Sequence, residues 1–194
     1  MGMTYRIISP KPPVRAKDFR AWLEADQRDE WDDDGDSEWE RAISDSDELV
    51  DDMVFDRESL AKWLGTKRED WLGGGLAFTI SPEQVARAES VLTGLLETVR
   101  SLPYDKVKKG EARPRVESSY DYKTGKVNYA YFGSPKNVEI LKVVNEVMNR
   151  DYHFTYPWDE DKNYNRVEEM ISALKGVRKF MEENPDREVI GLYY

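Results

Sequence analysis

Apolar positions along this chain fall into alternating and helical runs punctuated by Pro, Gly and Ser. Tyr5 to Ser9 is apolar and β-branched and stops at Pro10, Pro12 and Pro13, which predicts an opening strand, because proline cannot continue a ladder. From Ala16 to about Trp31, Phe19, Trp22 and Leu23 recur on one face of a predicted helix. The stretch DEWDDDGDSEWERAISDSDELVDD that follows offers only Trp31, Trp39, Ile43, Leu49 and Val50 as large anchors and reads as loop with one short helix. Asp56 can cap a helix ending near Gly65, Thr66 to Glu69 has the pattern of a capping box, and Leu76 to Ile80 is a short buried strand after Gly73, Gly74 and Gly75.

The strongest local signal is Ser81-Pro82-Glu83-Gln84, which places a cap, a first-turn proline and a reciprocal Gln at a helix start. Val85, Ala88, Leu92, Leu95, Leu96 and Val99 form that helix's apolar stripe. After the basic stretch KVKKGEARPR, two alternating runs, Val116 to Tyr122 and Lys126 to Phe132, flank Lys123-Thr124-Gly125 and predict a hairpin. Ser134-Pro135 opens a helix with Val138, Leu141, Val144 and Met148 on one face, and Tyr152 to Tyr156 alternates as a further strand. A last helix runs from about Asn165 to Glu183, and Val189 to Tyr194 closes the chain as a strand. This order predicts the α+β class: a single domain over residues 1–194, with a mixed sheet of about five or six strands and helices packed on it. At 194 residues the chain is long enough for one core that hides about 70 per cent of the surface the unfolded form exposes.

Several pieces resemble the YfbM-like family of small uncharacterised bacterial proteins: Met1-Gly2-Met3 with a strand ending in Ile8-Ser9-Pro10, Phe78 to Val85 opening a long helix, and Tyr156-Pro157-Trp158-Asp159 before a helix and terminal strand. The resemblance implies an α+β bacterial cytosolic protein and carries no activity with it. The acidic stretch around residues 24–58 and the hairpin at 116–132 have no place in that pattern.

Charge changes the picture in one region. The formal charge is −10, and residues 24–58 hold 17 acidic and 3 basic side chains interrupted by Trp31, Trp39, Met53 and Phe55. Such a run reads either as a solvated, partly mobile face or as a docking surface for a basic partner, with Asp32, Asp33, Asp34 and Asp36 steering encounter and the Trp residues as anchors. Acidity of this degree disfavours nucleic acid, whose affinity for proteins comes largely from Lys and Arg at phosphates. The basic cluster Lys106, Lys108, Lys109, Arg113 and Arg115 is expected to pair internally with residues 24–58. With no cysteine, no apolar run approaching the roughly 20 residues of a membrane span and no signal-type start, the expected setting is cytoplasmic.

Candidate chemistry is sparse. Residues 30–41 approach a calcium loop, yet Glu30 stands at its first position and Arg41 at its twelfth, where a bidentate Glu must close the cage. His153 is the only histidine; Asp159, Glu160, Asp161, Glu168 and Glu169 lie near it in sequence, and negative charge at the start of the last helix explains them structurally. Gly73 to Gly75 lacks the Lys and Ser or Thr of a phosphate loop. No metal or cofactor site is expected, and enzymatic activity is not favoured. Tyr120, Tyr122, Tyr129 and Tyr131 crowd the hairpin, as a stacked sheet face or as a partner's landing site. The leading expectation is thus an acidic protein-binding module of the immunity or inhibitor type, with contacts at Trp31, Trp39, Tyr120, Tyr129 and Tyr131. The alternatives are a hydrolase or transferase using His153 with nearby carboxylates, and a nucleic-acid mimic.

Overall fold

The structure, a computed structural model, describes residues 5–26, 38–50, 63–64, 71–72, 75–148, 154–159 and 166–193. In chain order the elements are β1 (Tyr5–Ser9), α1 (Ala16–Asp26), α2 (Glu38–Asp45), β2 (Asp47–Val50), β3 (Trp71–Leu72), β4 (Gly75–Thr79), α3 (Pro82–Ser101), β5 (Arg115–Asp121), β6 (Lys126–Phe132), α4 (Pro135–Met148), α5 (Arg166–Glu183) and β7 (Ile190–Tyr193). They form two compact units, Met1–Ser90 with Met170–Tyr194, and Val91–Glu169.

The first unit is built on a five-stranded sheet in the order β2-β1-β7-β4-β3. Strands and helices together give the expected α+β class, but every described ladder is antiparallel where a mixed sheet was expected. The terminal strand explains this: β7 enters between β1 and β4 and runs against both, matching Ile8 with Ile190 and Ala77 with Leu192. Ile190, Gly191, Leu192 and Tyr193 are all buried, as befits a central strand covered on both faces. On one face Ile8, Ala77, Ile190 and Leu192 join Ala16, Phe19 and Leu23 of α1 and Ile43 of α2 in one cluster. The register puts Ile7, Phe78 and Gly191 on the other face.

Long-range polar contacts fix the edges of this layer. The Glu188 carboxylate accepts the Ala16 N–H at 2.9 Å, and Asp18 accepts the Arg15 N–H at 2.8 Å, so both oxygens serve the positive end of α1. Ser9, fully buried, donates its hydroxyl to the Glu188 carbonyl at 2.8 Å. The reciprocal capping box is present: the Ser81 N–H donates to Gln84 Oε1 at 2.7 Å and the Gln84 N–H to Ser81 Oγ at 3.3 Å. Gln84 also donates to the Leu64 carbonyl at 2.6 Å.

Three sequence expectations change. β2 and β3 are strands that the sequence reading passed over, the first because Asp47 and Glu48 disguise a short edge strand, the second because Trp71–Leu72 is only two residues long. Residues 154–156 are not strand: no ladder pairs them among the described residues, and the chain turns directly after them, with the Asp159 N–H donating to the Tyr156 carbonyl at 3.0 Å and Tyr156 stacked on Trp158, centroids 4.6 Å apart and planes 7° apart. Asp159 therefore belongs to this turn and not to the start of the last helix, which opens at Arg166. The short helix expected in the acidic stretch is α2, whereas the expected elements around 56–69 lie largely outside the described residues, as does the expected first helix beyond Asp26; Trp63 and Leu64 are buried.

In the second unit, β5 and β6 form a separate two-stranded sheet and α4 lies against both. Leu92, Leu95, Leu96 and Val99 of α3 and Ile140, Leu141, Val144 and Met148 of α4 are buried at helical spacing, together with Phe154, Tyr156, Trp158 and Val167.

Candidate binding hairpin

The hairpin's register decides which side chains share a face. Val116 lies opposite Tyr131, Ser118 opposite Tyr129 and Tyr120 opposite Val127, so one face carries an apolar and aromatic stripe. The other pairs Arg115 with Phe132, Glu117 with Ala130, Ser119 with Asn128 and Asp121 with Lys126. On that polar face Arg115 donates to Glu117 at 2.8 Å and rests 4.6 Å from the centroid of the Phe132 ring.

Only the root of the aromatic stripe is covered. Asn145 of α4 donates its amide to the Tyr131 hydroxyl at 2.9 Å, and Lys142 Nζ stands 5.8 Å from the same ring's centroid. Val116 and Tyr131 are accordingly half-buried. Toward the turn the stripe is open: Tyr120 is 52% exposed, Val127 48%, Tyr129 39% and Tyr122 90%. Tyr120 and Tyr122 meet edge to face with centroids 5.0 Å apart, so the tip is an aromatic pair standing in solvent.

Both ends of the ribbon are held by directed bonds. At the turn the Gly125 N–H donates to the Asp121 carbonyl at 2.8 Å, with Gly125 at φ +69°, a left-handed conformation that favours glycine. Asp121 accepts the Lys123 N–H at 2.9 Å and the Thr124 hydroxyl at 2.8 Å. These bonds, the Thr124 hydroxyl foremost, lower the Asp121 carboxyl below its ordinary value. At the root, buried Asn137 clamps the incoming chain, accepting the Asp105 N–H and donating to the Asp105 carbonyl, both at 2.9 Å. The Ser134 hydroxyl and then Lys136, at 3.0 Å, lower the Asp105 carboxyl in turn. Gly133, at φ +146°, lets the chain turn against Pro114, which a Cβ there would approach to 3.0 Å.

The sequence candidates separate clearly. Tyr120 and Tyr129 stand on the open stripe, joined by Tyr122 and Val127, while exposed Phe132 lies on the opposite face. Tyr131 is spent on anchoring the root, and Trp39 is half-buried and packs on the α1 core cluster. Trp31, Asp32, Asp33, Asp34, Asp36 and His153 lie outside the described residues. Within the acidic stretch Asp47 receives Arg187 at 2.9 Å and Glu48 faces Arg6 at 3.9 Å, while Glu24, Glu38, Glu40 and Asp45 are exposed. In the basic cluster Arg113 faces Asp159 at 3.7 Å and Arg115 faces Glu117, partners in the same unit instead of the expected residues 24–58. Among the described residues no cluster of His, Asp or Glu is arranged to hold a metal ion, and no helix is long and apolar enough to cross a membrane.

Comparison with protein-family models, with curated proteins and with solved structures finds no match. The functional reading therefore rests on the hairpin itself.

Proposed function

We propose that this chain is a protein-recognition module, of the inhibitor or adaptor kind, that engages its partner through the open aromatic face of the β5–β6 hairpin. The observation that carries the reading is the exposure of Tyr120, Tyr122, Val127 and Tyr129 on a ribbon whose turn and root are both fixed by hydrogen bonds. Large aromatic side chains left in water forgo about 1.5–3 kcal/mol each of burial, which a docked partner recovers. Tyrosine suits that role because it brings a broad apolar ring, a polar tip and few rotatable bonds.

A photoreactive phenylalanine analogue placed at Tyr120 or Tyr129 of the intact chain tests this. We expect covalent adducts with protein from both positions and none from a control at exposed Glu183 of α5. Adducts no more abundant than the control's, or adducts with nucleic acid, would refute the reading.

A further inference from the structure

A two-stranded ribbon standing alone in water is marginal, and three or more strands with a covered face are the usual requirement for stability. Among the described residues both outer edges of the hairpin lack a strand neighbour, and five of its large apolar residues, Tyr120, Tyr122, Val127, Tyr129 and Phe132, are exposed beside them. The two edges differ. β6 begins with Lys126, the residue type that most commonly blunts an edge; β5 has neither lysine nor proline, and its register with β6 runs without a bulge.

Resting on the binding role assigned to this hairpin, we propose that its partner is a second copy of this chain, joined by antiparallel pairing of β5 with β5 about Ser118. The sequence Arg115-Val-Glu-Ser-Ser-Tyr-Asp121 is complementary to itself in that register. Arg115 falls opposite Asp121 of the second copy, Val116 opposite its Tyr120, Glu117 opposite its Ser119 and Ser118 opposite its own counterpart. The two-fold axis repeats each pair, so two opposite-charge contacts and two aromatic-to-β-branched contacts form together. Edge charges that would repel an arbitrary strand thus select this one.

The pairing also accounts for what is left open. A four-stranded sheet in the order β6-β5-β5-β6 places Val127 and Tyr120 of one copy in the row continued by Val116 and Tyr131 of the other. Val116 and Tyr131 are the two stripe residues that are half-buried, on strands against which α4 lies. Each copy's exposed tip therefore lies beside the helix-covered root of its neighbour, and the rows of the aromatic face become continuous. β6 paired with itself about Tyr129 would instead set Lys126 against Phe132 and bring no opposite charges together.

The test is sedimentation equilibrium of the full chain over a range of concentrations, with charge-reversal variants. The wild type should dimerise. Arg115→Asp sets like charges against Asp121 twice, and Asp121→Arg does the same with the opposite sign, so each alone should raise the dimer dissociation constant by about tenfold. An equimolar mixture of the two variants restores both pairs and should recover dimer as the mixed species, a gain that damage to the turn or to the Arg115–Glu117 pair would not produce. A wild type that stays monomeric while the Tyr120 and Tyr129 photo-adducts carry a different protein would overturn the second copy and leave the binding role standing. A dimer that neither variant weakens, or that the mixture fails to recover, would overturn the β5 edge. A monomer without adducts overturns both.

Discussion

Gly191 offers the sharpest test of the packing. It sits in β7 between β1 and β4, and a Cβ at that position would lie 2.4 Å from Phe78 Cζ and 2.5 Å from Cε1. Carbon atoms in contact stay about 3.5–4.0 Å apart, so the added methyl overlaps the ring by roughly 1 Å. Phe78 is buried, and its ring cannot leave without displacing neighbours. Overpacking of this kind costs about 1–3 kcal/mol, from which the lost freedom of the unfolded glycine returns about 0.4–1 kcal/mol. Gly191→Ala should thus destabilise the chain by about 1–2 kcal/mol and lower Tm by about 2–8 °C. Gly94 in α3 and Gly176 in α5 supply the contrast, because a Cβ at either meets nothing within 4 Å. Alanine there should stabilise by about 0.5–1 kcal/mol. Urea unfolding followed by tryptophan fluorescence reads all three, and the midpoints should move in opposite directions with similar slopes. If Gly191→Ala shifts the midpoint upward with the helical pair, the close approach of Phe78 to β7 is refuted. The double variant with Phe78→Leu should recover part of the loss, since it removes the atoms that clash.

Other contacts carry predictions of their own. Asn137→Ala strips both partners from the Asp105 backbone and should cost about 2–3 kcal/mol in urea unfolding; a loss below about 1 kcal/mol would show that the clamp is dispensable. Arg187 donates through Nη2 to the Ser9 carbonyl and to Asp47, each at 2.9 Å, so Arg187→Met should destabilise by about 1–2 kcal/mol and Asp47→Asn by less, because an amide oxygen still accepts; equal losses would refute that order. The Asp121 carboxyl titrates below its ordinary value of 3.8, so its support of the turn is complete above that pH and fades as the pH falls through the lowered value. The Lys123 amide resonance should follow that titration, with Asp121→Asn removing the transition; a midpoint at or above 3.8 would contradict the bonding described.

What the sequence reveals here depends on how local the cause is. β1, the long helix after Ser81, the hairpin and the final strand all announce themselves within a few residues, through a capping box, a glycine in a left-handed turn or a period-two run. Sheet order does not, because β7 meets β1 and β4 across separations of more than a hundred positions, and nothing local fixes which neighbours it takes. The candidate site shows the same division. Tyrosines at alternate positions mark a face, but the packing of α4 settles how far each is covered: Asn145 takes Tyr131, which is half-buried, while Tyr120 and Tyr129 are exposed. Trp39 follows the same logic in reverse, since its acidic neighbours suggest a surface anchor while the amphipathic turn of α2 delivers it to the core cluster.

The cost of exposing the hairpin bears on its purpose. A ribbon open to solvent over most of its length should fray, yet this one is fastened at the turn by Asp121, along its polar face by Arg115 on Phe132, and at the root by Asn145 and Asn137. None of these bonds buries Tyr120, Tyr122 or Val127; all of them fix where those side chains stand. A surface held in its binding geometry before contact loses less conformational entropy when a strand or an apolar face docks on it. The ribbon's stability and its exposure are therefore one arrangement, and loosening the root should weaken association even though no root residue lies at the open tip. Asn145→Ala separates the two effects: it leaves every exposed aromatic in place, and by this reasoning hydrogen exchange at β5 and β6 should quicken while photo-crosslinking from Tyr120 falls. If exchange quickens and crosslinking is unchanged, preorganisation is not what the fastening provides.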